Sequence, residues 1–232
     1  MNSLNIVSWN VRGLGSGPKR LKVLSHLIDL KADIALLQET HLCNPSDRLM
    51  CCSQFPVMYS SSYNSKQRGV AVLFNKNITV THNDTVTDPE GRFVIINICI
   101  QYKDYCIASI YGPNVDDSSF FHRFFTSLSV HSDSTIIIGG DVNLILDPEL
   151  DRLNTAAHQR TWRSASILKQ YMNDLGLCDA WRSCHPSTKG FTFFSPVHHS
   201  HSRLDYLLVS KSLFKEIKSS NIHPIIISDL AP

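Results

Sequence analysis

The chain has 232 residues, of which 43% are hydrophobic, and 22 Lys and Arg residues stand against 20 Asp and Glu residues, a net charge of +2. This length and composition predict one globular domain with a buried core. The near-neutral charge, without a long run of like charges, excludes a polybasic tail, so a nucleic-acid partner would have to be bound by local basic patches.

The same survey excludes two further classes of protein. The first residues lack the basic start and apolar core of a signal peptide, and no apolar run is long enough to cross a bilayer. The seven cysteines are odd in number and form no Cys-x-x-Cys pair. We therefore expect reduced, buried thiols in an intracellular protein of the nucleus and cytoplasm, with no membrane partner.

Short apolar segments alternate with amphipathic segments, a pattern typical of a layered α/β domain. Nine strands are predicted, too many for one small sheet: Leu4–Trp9, Ile34–Leu37, Val70–Phe74, Phe93–Ile100, Tyr105–Ile110, Thr135–Ile138, Phe191–Phe194, Leu204–Val209 and Ile222–Ile227. Three helices are predicted. The first follows Pro18 and places Leu21, Leu24, Leu27 and Ile28 on one face, the second is Ser118–Leu128, and the third, near Gln159–Leu175, buries Ile167, Leu168, Tyr171 and Leu175. Two loops stand out, the irregular polar segment Asn44–Asn64 and the histidine-rich hairpin Ser195–Arg203.

Six short segments place a carboxylate, an amide or a phenol where an apolar strand ends. In chain order they are Trp9-Asn10, Gln38-Glu39-Thr40, Tyr111-Gly112-Pro113-Asn114, Gly140-Asp141-Val142-Asn143, Arg203-Leu204-Asp205-Tyr206 and Ser228-Asp229-Leu230. Phosphodiester hydrolysis needs a cation to offset the charge of the transition state, a positioned water and support for the leaving oxygen. Side chains of these types supply oxygen ligands for Mg²⁺ and hydrogen bonds for water and phosphate.

The segment Thr135–Asn143 is the most specific of these signals. An apolar strand runs into two glycines, which permit close backbone approach, and then presents Asp141 and Asn143 two residues apart, so that both can face one side. Taken alone, a Gly-Gly-Asp turn also occurs as simple loop punctuation. The order and joint occurrence of the six segments carry the interpretation.

These segments resemble the endonuclease/exonuclease/phosphatase superfamily, and in particular the apurinic-type, exonuclease III-like endonuclease domain of LINE-type (non-LTR) retrotransposons. The resemblance spans the whole chain and implies a four-layer α/β sandwich, in which two mostly antiparallel β-sheets pack face to face with helices outside. It implies a Mg²⁺-dependent DNA endonuclease, with Mn²⁺ as an alternative ion, that nicks target DNA for retrotransposition. A reverse-transcriptase domain on the same polyprotein is the implied partner, and the domain is expected to be monomeric.

The resemblance also assigns roles to residues. The metal would be held by Asn10, Glu39, Asp141, Asn143 and Asp229, and the catalytic groups would be Asp141, Asn143, Tyr111 and Asp205. DNA contacts are expected from Asn114, Thr192, His198, His199, His201, Arg203 and Ser228. Some family members carry an Asp at the position of Arg12, so a second metal site supported from that loop is not expected.

One position departs from the pattern, because the family motif ends in Ser-Asp-His and this chain has Leu230 in place of the histidine. That histidine pairs with the carboxylate matching Asp205, so we expect severely reduced activity that Leu230→His restores. The family also continues into one more strand, so the single domain 1–232 is expected to be C-terminally truncated. Three alternatives remain open: an apurinic/apyrimidinic repair nuclease, a catalytically dead DNA-binding remnant and a phosphatase on the same scaffold.

Overall fold

The structure is a computed structural model that describes residues 3–43, 49–153 and 162–224. Its strands are β1 (Ile6–Asn10), β2 (Ile34–Gln38), β3 (Val57–Ser61), β4 (Val70–Phe74), β5 (Thr81–Thr87), β6 (Phe93–Ile100), β7 (Lys103–Tyr111), β8 (Thr135–Asp141), β9 (Arg152–Leu153), β10 (Leu177–Asp179), β11 (Phe193–Ser195), β12 (Ser200–Ser202) and β13 (Asp205–Ser210). Its helices are α1 (Gly17–Asp29), α2 (Ser118–Ser129), α3 (Arg163–Asp174) and α4 (Ala180–Cys184), and a 3₁₀ helix follows at Lys211–Glu216.

The strands form two main sheets and one small one. The first sheet has the order β1-β2-β4-β3, the second β10-β13-β8-β7-β6-β5, and the small sheet β11-β12-β9. Neighbouring strands are antiparallel except in the pairs β1–β2 and β7–β8, which are parallel. The predicted pair of mostly antiparallel sheets is therefore confirmed.

Three hydrophobic clusters define four layers. Side chains of β2 and β4 pack against those of β6 and β7 between the two main sheets, α1 covers the outer face of the first sheet, and α2 and α3 cover the outer face of the second. Two hydrogen bonds cross the central interface, from Gln38 Nε2 to Ser109 Oγ (3.0 Å) and from Ser109 Oγ to the Leu37 carbonyl (3.1 Å). The predicted four-layer sandwich is confirmed.

Local sequence explains the starts of the first two helices. Ser16 Oγ caps α1 by accepting from the Lys19 amide, and Pro18 occupies its first turn. Asp117 caps α2 by accepting from the amides of Ser119 and Phe120. The hydrogen bond from the Ser119 hydroxyl, and then those from the two amides, lower the pKa of the Asp117 carboxyl. The buried face of α2 then consists of Phe120, Phe121, Phe124, Phe125 and Leu128.

Strand register brings the predicted polar residues to one end of the second sheet. Asp141 at the end of β8 is the pairing partner of Tyr111 on β7 and of Asp205 on β13. Paired residues on neighbouring strands share a face. The three side chains therefore form one row across three strands, next to the end of β1 and β2.

Several predicted elements were wrong in detail. On α1 the buried residues are Val23, Leu24 and Leu27, whereas Leu21 and Ile28 are exposed because the buried face lies toward Val23 and away from those two residues. On α3 Ile167 and Leu168 are buried as predicted, and Tyr171 and Leu175 are only partly buried.

The strand predictions also needed correction. The segment predicted to be an irregular loop contains β3, and strands β5, β9, β10 and β12 were not predicted. The predicted strand Phe191–Phe194 overlaps β11. Residues 222–224 form no strand, and the rest of the predicted strand Ile222–Ile227 lies outside the described residues. Residues 159–161 of the third predicted helix also lie outside the described residues.

All seven cysteines are free thiols, but only Cys106 is buried, and burial raises the pKa of its thiol to about 12. Cys51 and Cys184 are exposed, so the expectation that the thiols would be buried was wrong for most of them. No helix in the described part of the chain is both long and apolar enough to cross a membrane.

Candidate active site

The side-chain amide of Asn10 joins two carboxylates from the two main sheets. Asn10 Nδ2 donates to Glu39 Oε1 at 2.8 Å and to Asp141 Oδ2 at 3.0 Å. Asn10 Oδ1 accepts from the Arg12 amide at 3.1 Å. Asn10 is fully buried, so this one side chain fixes Glu39 and Asp141 next to each other at the edge of the sandwich.

The backbone that presents Glu39 is strained. Glu39 and His41 have φ values of +51° and +52°, a region that non-glycine residues rarely occupy. Backbone bonds from Thr40 to Gly69 (2.9 Å) and from Gly13 to Glu39 (2.6 Å) hold the turn in place. His41 Nε2 lies 3.4 Å from Glu39 Oε2, a contact without hydrogen-bond geometry. Strain of this kind persists only where surrounding contacts over-determine it, which is common at functional sites.

Asp141 and Asn143 form a tight turn that rests on Gly112. The Asn143 amide donates to Asp141 Oδ1 at 3.0 Å, and Asn143 Nδ2 donates to the Gly112 carbonyl at 2.9 Å. A Cβ atom on Gly112 would collide with the backbone of Val142, so only glycine permits this approach. Burial, opposed by the hydrogen bond from Asn10, raises the pKa of Asp141 to about 6.

Tyr111 stays a proton donor across the physiological range. Burial, and then the charges of Glu39 and Asp141, raise the pKa of its phenol far above 10. The Arg92 guanidinium, 5.5 Å from the centre of the Tyr111 ring, opposes this shift only in part. A neutral phenol can donate a hydrogen bond to a phosphate or to a departing oxygen.

Asp205 has its carboxylate oxygens buried although the residue as a whole is half-buried. Among the described residues neither oxygen has a hydrogen-bond partner. Burial, and then the charge of Asp141, raise the pKa of Asp205 well above its usual value. Behind it, the hydroxyl of Thr192 accepts from the amides of Leu204 (3.0 Å) and Asp205 (3.2 Å).

These residues open onto one cleft of about 270 Å³. Its lining consists of Arg12, Glu39, Tyr111, Asn114, Asp141, Asn143, Trp162, Phe193 and Leu204. The structure therefore brings the predicted residues Glu39, Tyr111, Asn114, Asp141 and Asn143 together. Sequence reasoning missed the contributions of Arg12, Trp162, Phe193 and Leu204. For Arg12 a signal was available, because it lies two residues after Asn10 in the same turn.

Two predicted DNA contacts are corrected. Arg203 is only 2% exposed, and it pairs with Asp151 through Nε–Oδ1 (2.9 Å) and Nη2–Oδ2 (3.1 Å) and with Asp179 Oδ2 at 2.6 Å. Its guanidinium is therefore buried in ion pairs with these two carboxylates and is not available to DNA. Thr192 is 4% exposed and braces the segment that carries Asp205 instead of presenting its hydroxyl to a phosphate.

The predicted histidine hairpin forms between β11 and β12. His198 and His199 are exposed at its tip, so their predicted contact with DNA remains a prediction. His201 is half-buried on β12, with its ring 5.7 Å from that of Phe191 and 4.7 Å from that of Phe194. Ser228, Asp229 and Leu230 lie outside the described residues.

The donor set around Asn10 fits a hard divalent cation. Within the described ranges no three His, Cys, Asp or Glu side chains are arranged so that they alone could hold a metal ion. Glu39 and Asp141 nevertheless bond to the same amide, and the charge of Glu39 contributes to the raised pKa of Asp141. Carboxylate and amide oxygens are the ligands that Mg²⁺ takes in proteins, and a cation between them would relieve this repulsion.

Comparison with known proteins identifies the family. Residues 7–229 match the model of the endonuclease/exonuclease/phosphatase family, and the chain belongs to that family. It is similar to the transposon TX1 uncharacterized 149 kDa protein of Xenopus laevis, with 27% identity over 98% of this chain. That alignment spans only 17% of the length of the transposon protein.

Two other relatives align over most of the chain. An exodeoxyribonuclease of Bacillus subtilis is 24% identical over 94% of this chain and 93% of its own length. A DNA-(apurinic or apyrimidinic site) endonuclease of Dictyostelium discoideum is 27% identical over 96% of this chain and 66% of its own length.

Solved structures share the fold. The APE2 catalytic domain of Xenopus laevis has a TM-score of 0.74 at 22% identity, covering 97% of this chain and 89% of that one. The AP endonuclease LMAP of Leishmania major has a TM-score of 0.77 at 17% identity, covering 98% of this chain and 85% of that one.

Proposed function

We propose that this chain is the DNA endonuclease domain of a non-LTR retrotransposon, with activity reduced by Leu230. The observation that carries the proposal is the double hydrogen bond from Asn10 to Glu39 and Asp141. Around that bond lie a neutral phenol, a second buried carboxylate and a cleft of about 270 Å³. This is the set of groups that phosphodiester hydrolysis requires.

The family's cofactor is a divalent cation, and Mg²⁺ is our proposed ion, with Mn²⁺ as an alternative. The carboxylate oxygens of Glu39 and Asp141, together with Asp229, would hold it, and Asn10, whose amide orients both carboxylates, and Asn143 are further candidate ligands. When bound, it would supply positive charge against the phosphate. All other roles fall to the chain's own side chains.

Each of these side chains has a distinct task. The Asp141 carboxylate, oriented by the amides of Asn10 and Asn143, accepts a proton from the attacking water. The Tyr111 phenol, held neutral by its raised pKa, donates to the phosphate or the leaving oxygen. Thr192 fixes the backbone of Asp205.

Leu230 is the reason to expect reduced activity. The family places a histidine at this position beside the carboxylate matching Asp205, and leucine offers neither charge nor hydrogen bond. Removal of one preorganised donor at a transition state costs about 10²–10³ in rate. The buried Asp205 oxygens, which have no partner in the described part of the chain, fit this interpretation.

The retrotransposon assignment rests on one of the similarities. The relative named as a transposon protein aligns over 98% of this chain but is far longer, as expected if this domain is one part of a polyprotein. A reverse-transcriptase domain is the further part that we propose, and we place the protein in the nucleus and cytoplasm as a monomer that acts on DNA.

A second candidate is an apurinic/apyrimidinic repair nuclease. Two relatives favour it, the Bacillus enzyme, which is of comparable length, and the Dictyostelium enzyme. The two functions differ in substrate, since a repair nuclease requires an abasic site, whereas a retrotransposon endonuclease nicks intact duplex.

The substrate test compares the natural chain with Leu230→His on two DNAs. One is a supercoiled plasmid, and the other is a linear duplex with a single abasic site, each incubated with Mg²⁺ or with EDTA. We expect Leu230→His to nick the plasmid about 10²-fold faster than the natural chain, only with Mg²⁺. Cleavage confined to the abasic duplex would favour the repair nuclease.

A control separates the restored chemistry from contamination. Leu230→His combined with Asp141→Asn should be inactive on both substrates. No Mg²⁺-dependent nicking by Leu230→His, with the protein folded, would contradict the proposed nuclease function and would favour a DNA-binding remnant.

A further inference from the structure

Arg12 extends across the cleft from the turn that follows β1. It lines the cleft together with Glu39, Tyr111 and Asp141, and its guanidinium carbon lies 6.0 Å from the centre of the Phe193 ring. Phe193 begins β11, so Arg12 joins two walls of the cleft. Burial raises the pKa values of Asp141 and Asp205, and the charge of Arg12 opposes that rise in part.

The backbone of Arg12 is strained and held from several sides. Its φ is +45°, a region that non-glycine residues rarely occupy. The Arg12 amide donates to Asn10 Oδ1 at 3.1 Å, and its carbonyl accepts from Lys19 Nζ at 2.8 Å. The amide of the next residue, Gly13, donates to the Glu39 carbonyl at 2.6 Å. The same contacts that position Asn10 and Glu39 therefore also fix where the Arg12 side chain begins.

The cleft contains more acidic than basic side chains. Its acidic lining residues are Glu39 and Asp141, with Asp205 behind them, and Arg12 is the single basic residue among the lining residues that the structure describes. A DNA phosphate entering the cleft would be repelled by these carboxylates. A guanidinium can offset that repulsion and can bind two phosphate oxygens at once.

We propose that Arg12 is a DNA-phosphate ligand of the active-site cleft, projected from the Asn10 turn and supported by Phe193. The inference rests on the proposed nuclease function and extends it to a residue at which some family members carry an Asp. Arg12 then supplies, from the opposite end of the chain, a fixed positive charge in a site whose motif histidine is replaced by Leu230.

The test measures DNA binding as a function of salt. The full-length chain and its variants are titrated against a fluorescein-labelled duplex at increasing KCl, in EDTA and again in Ca²⁺. Each lost phosphate contact reduces the slope of log affinity against log salt by about 0.9. Arg12→Ala should therefore flatten the slope by about one and weaken binding roughly tenfold.

Two further variants keep the result interpretable. Arg12→Lys retains the charge without the planar fork, so it should keep the slope and bind with intermediate affinity. Arg123→Ala, an exposed arginine on α2 that does not line the cleft, removes the same charge and should leave both quantities unchanged. Thermal melts of all four proteins establish that each is folded.

The outcomes separate this inference from the function on which it rests. If the natural chain binds DNA and Arg12→Ala shows the same affinity and slope, the role of Arg12 is contradicted while the nuclease proposal stands. If Arg12→Ala changes the melting temperature but not the salt dependence of DNA binding, the proposed phosphate contact is also contradicted, because Arg12 would then only neutralise the carboxylates. If the natural chain binds no DNA, both proposals fail.

Discussion

Asp141 and Asp205 are directly paired across β8 and β13, so two buried carboxylates face the same end of one sheet. Like charges directly opposite each other on neighbouring strands destabilise a sheet. The pKa values of both groups are raised, in each case mainly by burial. The fold therefore holds acidic groups together at a cost, as expected where chemistry rather than stability selects the residues.

Asp205→Asn should stabilise the protein at neutral pH in EDTA. The folded-state pKa of Asp205 is raised above its unfolded value of about 3.9, so its contribution to stability is complete below that pH and is lost as the pH rises. The gain in stability of the variant should be near zero at pH 4 and grow to about 1 kcal/mol at pH 7, or about 2–4 °C in Tm.

Thermal unfolding of both proteins from pH 4 to pH 8 checks this prediction. Asp104→Asn, at an exposed position near the start of β7, serves as the matched control and should change Tm little. A gain that does not depend on pH, or a loss of stability at neutral pH, would refute the expected effect of Asp205.

Gly112→Ala should disrupt the turn that carries Asp141 and Asn143. A Cβ atom at this position meets the backbone of Val142, so the two segments must separate. Overpacking of this kind typically costs about 1–3 kcal/mol. Gly15→Ala is the control, because nothing lies within 4 Å of the added Cβ. Equal unfolding free energies for the two variants in urea would show that the approach at Gly112 is not tight.

Asp151→Ala should strongly destabilise the protein. Asp151 is fully buried, and it pairs with Arg203 at 2.9 Å and with Arg182 at 2.5 Å. Its removal leaves the buried Arg203 charge without its main partner, which typically costs about 3–5 kcal/mol. The substitution also removes the carboxylate that accepts hydrogen bonds from the Asp147 amide (3.1 Å) and the Tyr206 hydroxyl (3.2 Å).

A surface ion pair provides the comparison for Asp151. Glu90 is half exposed and pairs with Arg68 at 2.9 Å, so Glu90→Ala should cost no more than about 1 kcal/mol. Chemical denaturation measures both free energies. A cost for Asp151→Ala as small as that for Glu90→Ala would mean that the buried network adds little to stability.

The sequence predicted the buried strands well because their apolar runs are long. β2 and β4 are buried at every position, and β6 at all but two, so composition alone marks them. β5 was missed because its residues are Thr, His, Asn, Asp and Val and most are exposed at an edge. Its pairing with β6 depends on tertiary contacts that local composition does not encode.

The site was predictable to the extent that its residues terminate apolar strands. Glu39, Tyr111 and Asp141 fulfil that rule, and strand register brings them together. Arg203 also precedes an apolar strand, yet it lies inside the protein, because Asp151 and Asp179 arrive from distant segments to pair with it. Such pairing has no local signature, so an arginine that contacts DNA and one that stabilises the interior look alike in sequence.

The proposed function requires Asn10, Glu39 and Asp141 to contribute to one divalent-cation site. Titration of the metal-free protein with Mn²⁺, followed by the loss of the free-ion electron paramagnetic resonance signal, tests it directly. We expect one saturable ion per chain. Its affinity should fall at least about tenfold in Glu39→Gln and in Asn10→Ala, and the affinity of Glu90→Gln should equal that of the natural chain. Absence of saturable binding, or equal affinity in the natural chain and Glu39→Gln, would contradict it.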